Sequence, residues 1–270
     1  MKDNTFKNKI ILKNTTYLFI RFGIVVVANL LISRVVLNTL GIQDFGIFSL
    51  ITGFVLFFTF FGASLTNSTQ RFFSYELGKG NNILLKKIFG LSLLTFFIIS
   101  ILVTILLETI GVATIKNILV IPHARLNFAL KAFHFSCFSI FVSINSYVFQ
   151  AILIARENMR VYSYSGLLET AFRLLSAYLL ILSPFDKLIT YSLMYSLATI
   201  LANIFMMFYC FIKYEECGFS FFWERKLFKK LFSFIGWNSL IGLTEILNQQ
   251  GISVILNHFF GTAINASRGV

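Results

Sequence analysis

The chain has 270 residues, of which 57% are hydrophobic and 17% aromatic, while only 13% are charged, and its mean hydropathy is +0.81. A water-soluble domain of this size carries roughly 25% charged residues, so a soluble core is excluded. The net charge of +12 does not argue for a nucleic-acid partner, because the basic residues sit in short segments between apolar runs and form no stripe on a polar domain.

In chain order the predicted apolar segments are Tyr17–Leu37, Ile47–Leu65, Phe89–Leu107, Phe133–Ile154, Tyr162–Leu182, Ile189–Ile212 and Phe232–Phe259. Each is long enough to cross about 30 Å of hydrocarbon as a helix. Helix is imposed, because backbone groups surrounded by lipid must pair within their own segment. The first run is too long for a signal-peptide core, carries arginines and lacks a small-x-small cleavage site, so it reads as a retained span. The expected fold class is all-α, a polytopic transmembrane helical bundle. Cys137, Cys210 and Cys217 show no ligand or disulfide spacing.

Lysines and arginines set the orientation. Fifteen fall on the N-terminal side: Lys2, Lys7, Lys9, Lys13, Arg71, Lys79, Lys86, Lys87, Arg156, Arg160, Lys213, Arg225, Lys226, Lys229 and Lys230. Five fall opposite (Lys116, Arg125, Lys131, Lys187, Arg268), and Arg21, Arg34 and Arg173 lie inside spans. This bias predicts an N-terminus in the cytoplasm.

A long-period repeat appears next. Ser33-Arg34-Val35-Val36-Leu37-Asn38 with Gly41 is echoed by Ser253-Val254-Ile255-Leu256-Asn257-His258 with Gly261. Repeated bundles are common in transporters. The expected organisation is a first lobe of about six helices over residues 1–230. Residues 231–270 then open a second lobe with its seventh helix, which reads as truncated.

Charged residues inside lipid mark candidate function, since each costs about 2.5–3.5 kcal/mol on insertion scales. Arg21 and Arg34 lie near opposite ends of the first span and can snorkel; a separation of about 20 Å suits two ends of one path rather than one compact site. Glu169 and Arg173 share a helical face one turn apart, either as a self-neutralising pair or as a cavity lining. Asn238, Glu245 and Gln249, with Asn248 alongside, form a polar stripe on the last span, and Glu245 is the candidate for a titrating coupling group. His134, Asn145, Gln150 and Asn203 read as packing or interhelical bonds. No hydrolase, phosphate-loop or zinc motif is present, so no catalytic residue, metal or cofactor is expected.

The strings NTTYLFIR at Asn14–Arg21, SRVVLNTLGIQDFGI at Ser33–Ile47, QRFFSYELGKGN at Gln70–Asn81 and FGTAINASRG at Phe260–Gly269 carry a family resemblance. The chain resembles the polysaccharide and O-antigen flippases of the MATE-like multidrug/oligosaccharidyl-lipid/polysaccharide exporter superfamily. Those proteins have about twelve to fourteen spans, so the resemblance implies the N-terminal lobe and the start of the second. It implies an inner-membrane flippase that moves an undecaprenyl-diphosphate-linked oligosaccharide to the periplasmic leaflet by alternating access, driven by an ion or proton gradient. Membrane lipids, a polysaccharide polymerase and chain-length proteins are the implied partners. Arginine forks bind phosphate oxygens in pairs and keep their charge, so Arg21, Arg34, Arg71 and Arg173 are the expected substrate contacts. Glu169 and Glu245 are the expected gating or coupling groups, and Asn238, Asn248 and Gln249 the polar cavity residues. The alternatives are a multidrug cation antiporter of the same superfamily, a membrane enzyme of the same pathway, and a non-transporting fragment.

Overall fold

The computed structural model describes residues 2–56, 60–117, 121–218, 224–229, 232–238, 240 and 244, with backbone alone for 2–11, 54, 56, 60 and 61. Helix α1 runs Lys2–Leu56 and breaks at Gly41, whose φ of 77° and ψ of 169° favour a residue without a Cβ. Then follow α2 (Phe60–Lys79), α3 (Asn82–Leu106), a π-helical turn (Leu107–Gly111), α4 (Val112–Asn117), α5 (His123–Ala155), α6 (Met159–Leu182) and α7 (Lys187–Lys213). A single 3₁₀ turn, Glu215–Cys217, follows α7, and residues 225–229 and 232–238 are helical. The described residues include no strand.

Among the described residues, five helical stretches are long and apolar enough to cross a membrane: Leu12–Gly53, Asn82–Asn117, His123–Ala155, Met159–Leu182 and Lys187–Lys213. The chain is an all-α, multi-pass membrane protein, as its composition requires. Large apolar side chains such as Phe19, Phe22, Ile42, Leu182 and Ile212 lie exposed on the outside. Water would penalise such a surface, whereas lipid tails solvate it.

The helix ends differ from the expected ones for local reasons. Ile42–Leu56 continues α1 beyond Gly41, and α2 starts at Phe60, so the predicted span Ile47–Leu65 straddles two described helices. Hydropathy misses α2's length, because Ser64, Thr66, Ser68 and Thr69 are polar yet buried; Ser68 donates to the Ser64 carbonyl at 2.6 Å. The connection expected over Glu108–Ala132 is mostly helical. Glu108, on the π-turn, meets His134 of α5 at 2.8 Å, an interhelical contact of the kind expected of His134. Of the predicted last span, 232–238 is helical. The second copy of the repeat, with Glu245, Asn248 and Gln249, lies outside the described residues.

Helix α5 is the hub, packing against α1, α2, α3, α6 and α7. Half of its apolar window is buried, against 17% for α1, which places α1 at the edge of the bundle. Phe149 stacks edge-on to Phe89 at 5.3 Å and to Phe211 at 4.9 Å, tying α5 to α3 and α7. Buried Ala129, Ala132 and Ala151 on α5 and Ala198 and Ala202 on α7 let the backbones approach, as lipid-embedded helices need.

The end of the bundle that carries the Gly41 kink is clasped by charge. Arg125 at the start of α5 bonds Asp44, just past the kink, at 3.0 Å, and also Asp186, which caps α7 by accepting from the Ile189 N–H at 3.2 Å. Asp44 is only 6% exposed. Removing its cation strands a buried carboxylate, a loss on the order of 3 kcal/mol. Arg125→Ala is therefore expected to lower the melting temperature of the purified chain by several degrees, and Arg125→Ala with Asp44→Asn to recover part of it. Identical melts for all three proteins would show that the clasp contributes nothing.

Candidate functional site

One face of α6 presents Tyr162, Ser165, Gly166, Glu169 and Arg173 to an internal cavity of about 240 Å³. Arg21 of α1, Ser143, Tyr147 and Gln150 of α5, and Thr199 and Asn203 of α7 complete the wall. A smaller hollow of about 100 Å³ shares Ser143, Tyr147, Arg173 and Thr199 and adds Thr52 and Tyr195. The site is therefore enclosed by α1, α5, α6 and α7 together.

Arg173 is held from several sides. Its Nη2 lies 2.5 Å from Glu169 Oε1 and donates to Thr199 Oγ1 at 3.1 Å, and the Thr199 hydroxyl donates to Glu169 Oε1 at 2.9 Å. The guanidinium carbon sits 4.2 Å from the Tyr195 ring centroid. Its Nε is buried with no hydrogen-bond partner, so one donor of the fork is unused.

Arg21 is held differently. Its guanidinium carbon lies 4.5 Å from the Tyr162 ring centroid, and Tyr162 is positioned by a bond from Gln150 Nε2 to its hydroxyl at 3.2 Å. A Cβ on Gly166 would come within 2.6 Å of that same carbon, so the glycine makes room for the guanidinium. Arg21 has no carboxylate partner among the described residues. Two guanidiniums thus face one carboxylate, and every other residue on the cavity wall is neutral. The amides serve structure: Asn203 bonds Ser143 at 3.0 Å and Ser146 at 2.9 Å, and Asn145 bonds Ser100 at 2.9 Å.

The remaining sequence candidates are placed elsewhere. Arg34 is exposed on α1 and does not line the cavity. Thirteen residues at about 100° each set it roughly 140° around the helix from Arg21, so the two do not share a path. Arg71 is exposed on α2, 4.9 Å over the Phe234 ring, beside a separate cavity that also includes Glu76 and Leu227. Asn238 donates to Ser68 Oγ at 3.0 Å and to the Phe234 carbonyl at 3.1 Å, and its own carbonyl accepts from Ser64, holding its helix to α2. Sequence reasoning missed Tyr162, Tyr195, Tyr147, Thr199 and Gly166. The signal lay in the spacing of Tyr162, Gly166, Glu169 and Arg173, which keeps to one helical face.

No protein-family model and no curated protein matches the chain. Solved structures do. An outward-facing multidrug resistance MATE family transporter of the MOP superfamily aligns with a TM-score of 0.79 at 15% identity, covering 94% of this chain and 56% of that one. MATE in complex with MaD3S gives 0.80 at 14% identity, with 94% and 57% covered. A MOP superfamily transporter from Pyrococcus furiosus gives 0.78 at 14% identity, with 94% and 56% covered. The fold is that of the MATE transporters. The chain spans just over half the length of these MATE-type structures, and at such low identity the likeness concerns architecture alone.

Thr199 is the keystone of the MATE-type lobe's polar triangle. Thr199→Val removes its bonds to Arg173, Glu169 and the Tyr195 carbonyl at nearly constant volume and is expected to cost about 1–2 kcal/mol, read as a melting temperature a few degrees lower. Thr199→Ser should restore it. A Thr199→Val protein as stable as the parent would mean that Glu169 and Arg173 hold each other unaided.

Proposed function

We propose that the chain forms part of a membrane transporter for an anionic cargo, a lipid-diphosphate-linked oligosaccharide. One observation carries this reading: Arg21 stands in the cavity with an aromatic ring beneath it and no carboxylate mate among the described residues. A charge inside the bilayer costs about 2.5–3.5 kcal/mol, and a ring offsets on the order of 0.5–2 kcal/mol of that. The remainder favours an anion. A diphosphate supplies paired oxygens that match the guanidinium fork, while Ser143, Ser165 and Gln150 offer hydroxyls and an amide suited to sugar.

Within this reading Glu169 is the gate. An anion that engages Arg173 competes with Glu169, which is then held by Thr199 and free to take a proton, so that cargo and proton occupancy are linked. We place the protein in the bacterial inner membrane with its N-terminus in the cytoplasm, on the distribution of its basic residues. Residues 1–230 would be one lobe and 231–270 the start of a second, and a polymerase and chain-length proteins would be its partners.

A multidrug cation antiporter is the second reading. It is favoured by the MATE-family neighbours whose descriptions name multidrug resistance, and by the tyrosine-rich wall, which suits organic cations. The description of the Pyrococcus furiosus protein ties a reversed pocket polarity to a different function, so polarity is the property to test in this fold. Ser165→Cys places a thiol on the cavity wall. In nanodiscs, a lipid-diphosphate oligosaccharide is expected to slow its modification by maleimide at least threefold, ethidium is not, and Arg21→Gln should abolish the effect. Protection by ethidium alone would establish the cation reading instead.

A further inference from the structure

At the end of the bundle opposite the Asp44 clasp lies a second, separate cavity of about 380 Å³, lined by Lys13, Asn14, Tyr17, Arg156, Glu157, Asn158, Arg160 and Tyr214. Its geometry follows from the register of two helices that run side by side in the same direction. Tyr17 of α1 packs edge-on against Tyr164 of α6 at 6.2 Å, and Arg21 one turn further on sits against Gly166. One turn back from that contact, the same register sets Lys13 beside Arg160 on the wall of one cavity.

The charges around it divide into spent and unspent. Arg156 is spent: its Nη2 and Nε lie 2.5 and 2.6 Å from Glu216 Oε1, and its guanidinium lies 4.9 Å from the Tyr214 ring. Asn158 is spent as well, donating to the Tyr209 and Tyr214 hydroxyls at 3.2 and 2.9 Å. Asn14 donates to the Glu157 carbonyl at 3.1 Å, which pins α1 to the α5–α6 turn; the exposed Glu157 carboxylate lies at the rim and has no cation partner among the described residues. Lys13 and Arg160 also have no carboxylate partner there, and Arg160 is carried 5.4 Å over the Tyr164 ring, as Arg21 is carried over Tyr162. Two unpartnered cations at one register position repel each other, a cost that an anion bound between them reverses.

We infer that this cavity is a docking site for a phosphate headgroup, which Lys13 and Arg160 bind before the group advances to Arg21. The inference rests on the anionic-cargo reading above but concerns a different set of residues. Lys13, Tyr17 and Arg21 lie one turn apart on α1, so the step from the docking site to the inner cavity is only about 12 Å along the helix. A phosphate released by the outer pair thus meets the next unpartnered guanidinium about one and a half Debye lengths away at physiological salt, and the low-dielectric cavity screens that attraction less than bulk water does. The ring under Arg21 holds its fork without occupying N–H donors, and Arg160 spends one donor on the Tyr164 hydroxyl, which leaves the others for phosphate oxygens.

The experiment uses the chain with Asn14→Cys, in nanodiscs of neutral phosphatidylcholine, and reads the rate of maleimide modification. The native thiols compete little: Cys137, Cys210 and Cys217 are all buried, and burial pushes the Cys217 thiol up, away from the reactive thiolate. Dioctanoyl phosphatidic acid and inorganic pyrophosphate are the probes, with dodecyltrimethylammonium as the cationic control. Phosphate probes are expected to slow modification at least threefold, and Lys13→Gln with Arg160→Gln to weaken that protection about tenfold, while Arg173→Gln leaves it intact. Protection by the lipid alone assigns a membrane headgroup, and protection by pyrophosphate assigns a phosphate recognised without its tail. No protection by either, or equal protection by the ammonium surfactant, would overturn the docking site. Loss of protection at Ser165→Cys with retention at Asn14→Cys would sink the inner-cavity reading and leave this one standing.

Discussion

A guanidinium cannot be left bare inside a lipid-embedded bundle, and most of the polar architecture described here answers that constraint. Arg173 is answered by Glu169, Thr199 and the ring of Tyr195. Arg125 is answered by Asp44 and Asp186, and Arg156 by Glu216 and Tyr214. The Arg125 and Arg156 pairs join segments distant in sequence, and Arg173, paired within α6, reaches α7 through Thr199 and Tyr195. Arg21 has a ring and a glycine seat but no described anion, and it differs from the exposed Arg34 in facing a cavity shared by four helices. Its neighbours in the same wall make the contrast informative. The bundle is able to supply a carboxylate one turn from an arginine, as Glu169 demonstrates.

The fold was legible because hydropathy measures the solvent that the helices face. Five apolar helices lie where long apolar runs stand in the sequence. Their ends were not legible. Gly41 changes the direction of α1 within a run that hydropathy reads as uniform, and buried serines and threonines in α2 lower its apparent apolarity although Ser68 bonds back to the Ser64 carbonyl and both serines bond Asn238. Glu108 reads as loop polarity, but it meets His134, the interhelical bond expected of that histidine, in a helix–helix contact.

The candidate site was half legible. Intramembrane charge picked out Arg21, Glu169 and Arg173, and the helix brings the last two together because they lie four residues apart. That Arg21 joins them depends on the packing of α1 against α6, a contact between residues more than a hundred positions apart, which no local spacing encodes. Arg34 and Arg71 share Arg21's chemistry and not its place. The side chains that make the wall, Tyr162, Tyr195 and Thr199, are unremarkable in an apolar helix until a guanidinium is set against them.

The two ends of the bundle are tied by different polar contacts. At the Gly41 end, Arg125 is shared between Asp44 and Asp186, Lys187 donates to the Thr39 carbonyl at 3.3 Å, and Asp44 keeps one oxygen buried without a partner. At the α5–α6 turn, Arg156 consumes Glu216, and Lys13 and Arg160 remain. The middle of the bundle differs from both ends: there Arg173 is held by Glu169 and Thr199, while Arg21 has the ring of Tyr162 and the space left by Gly166.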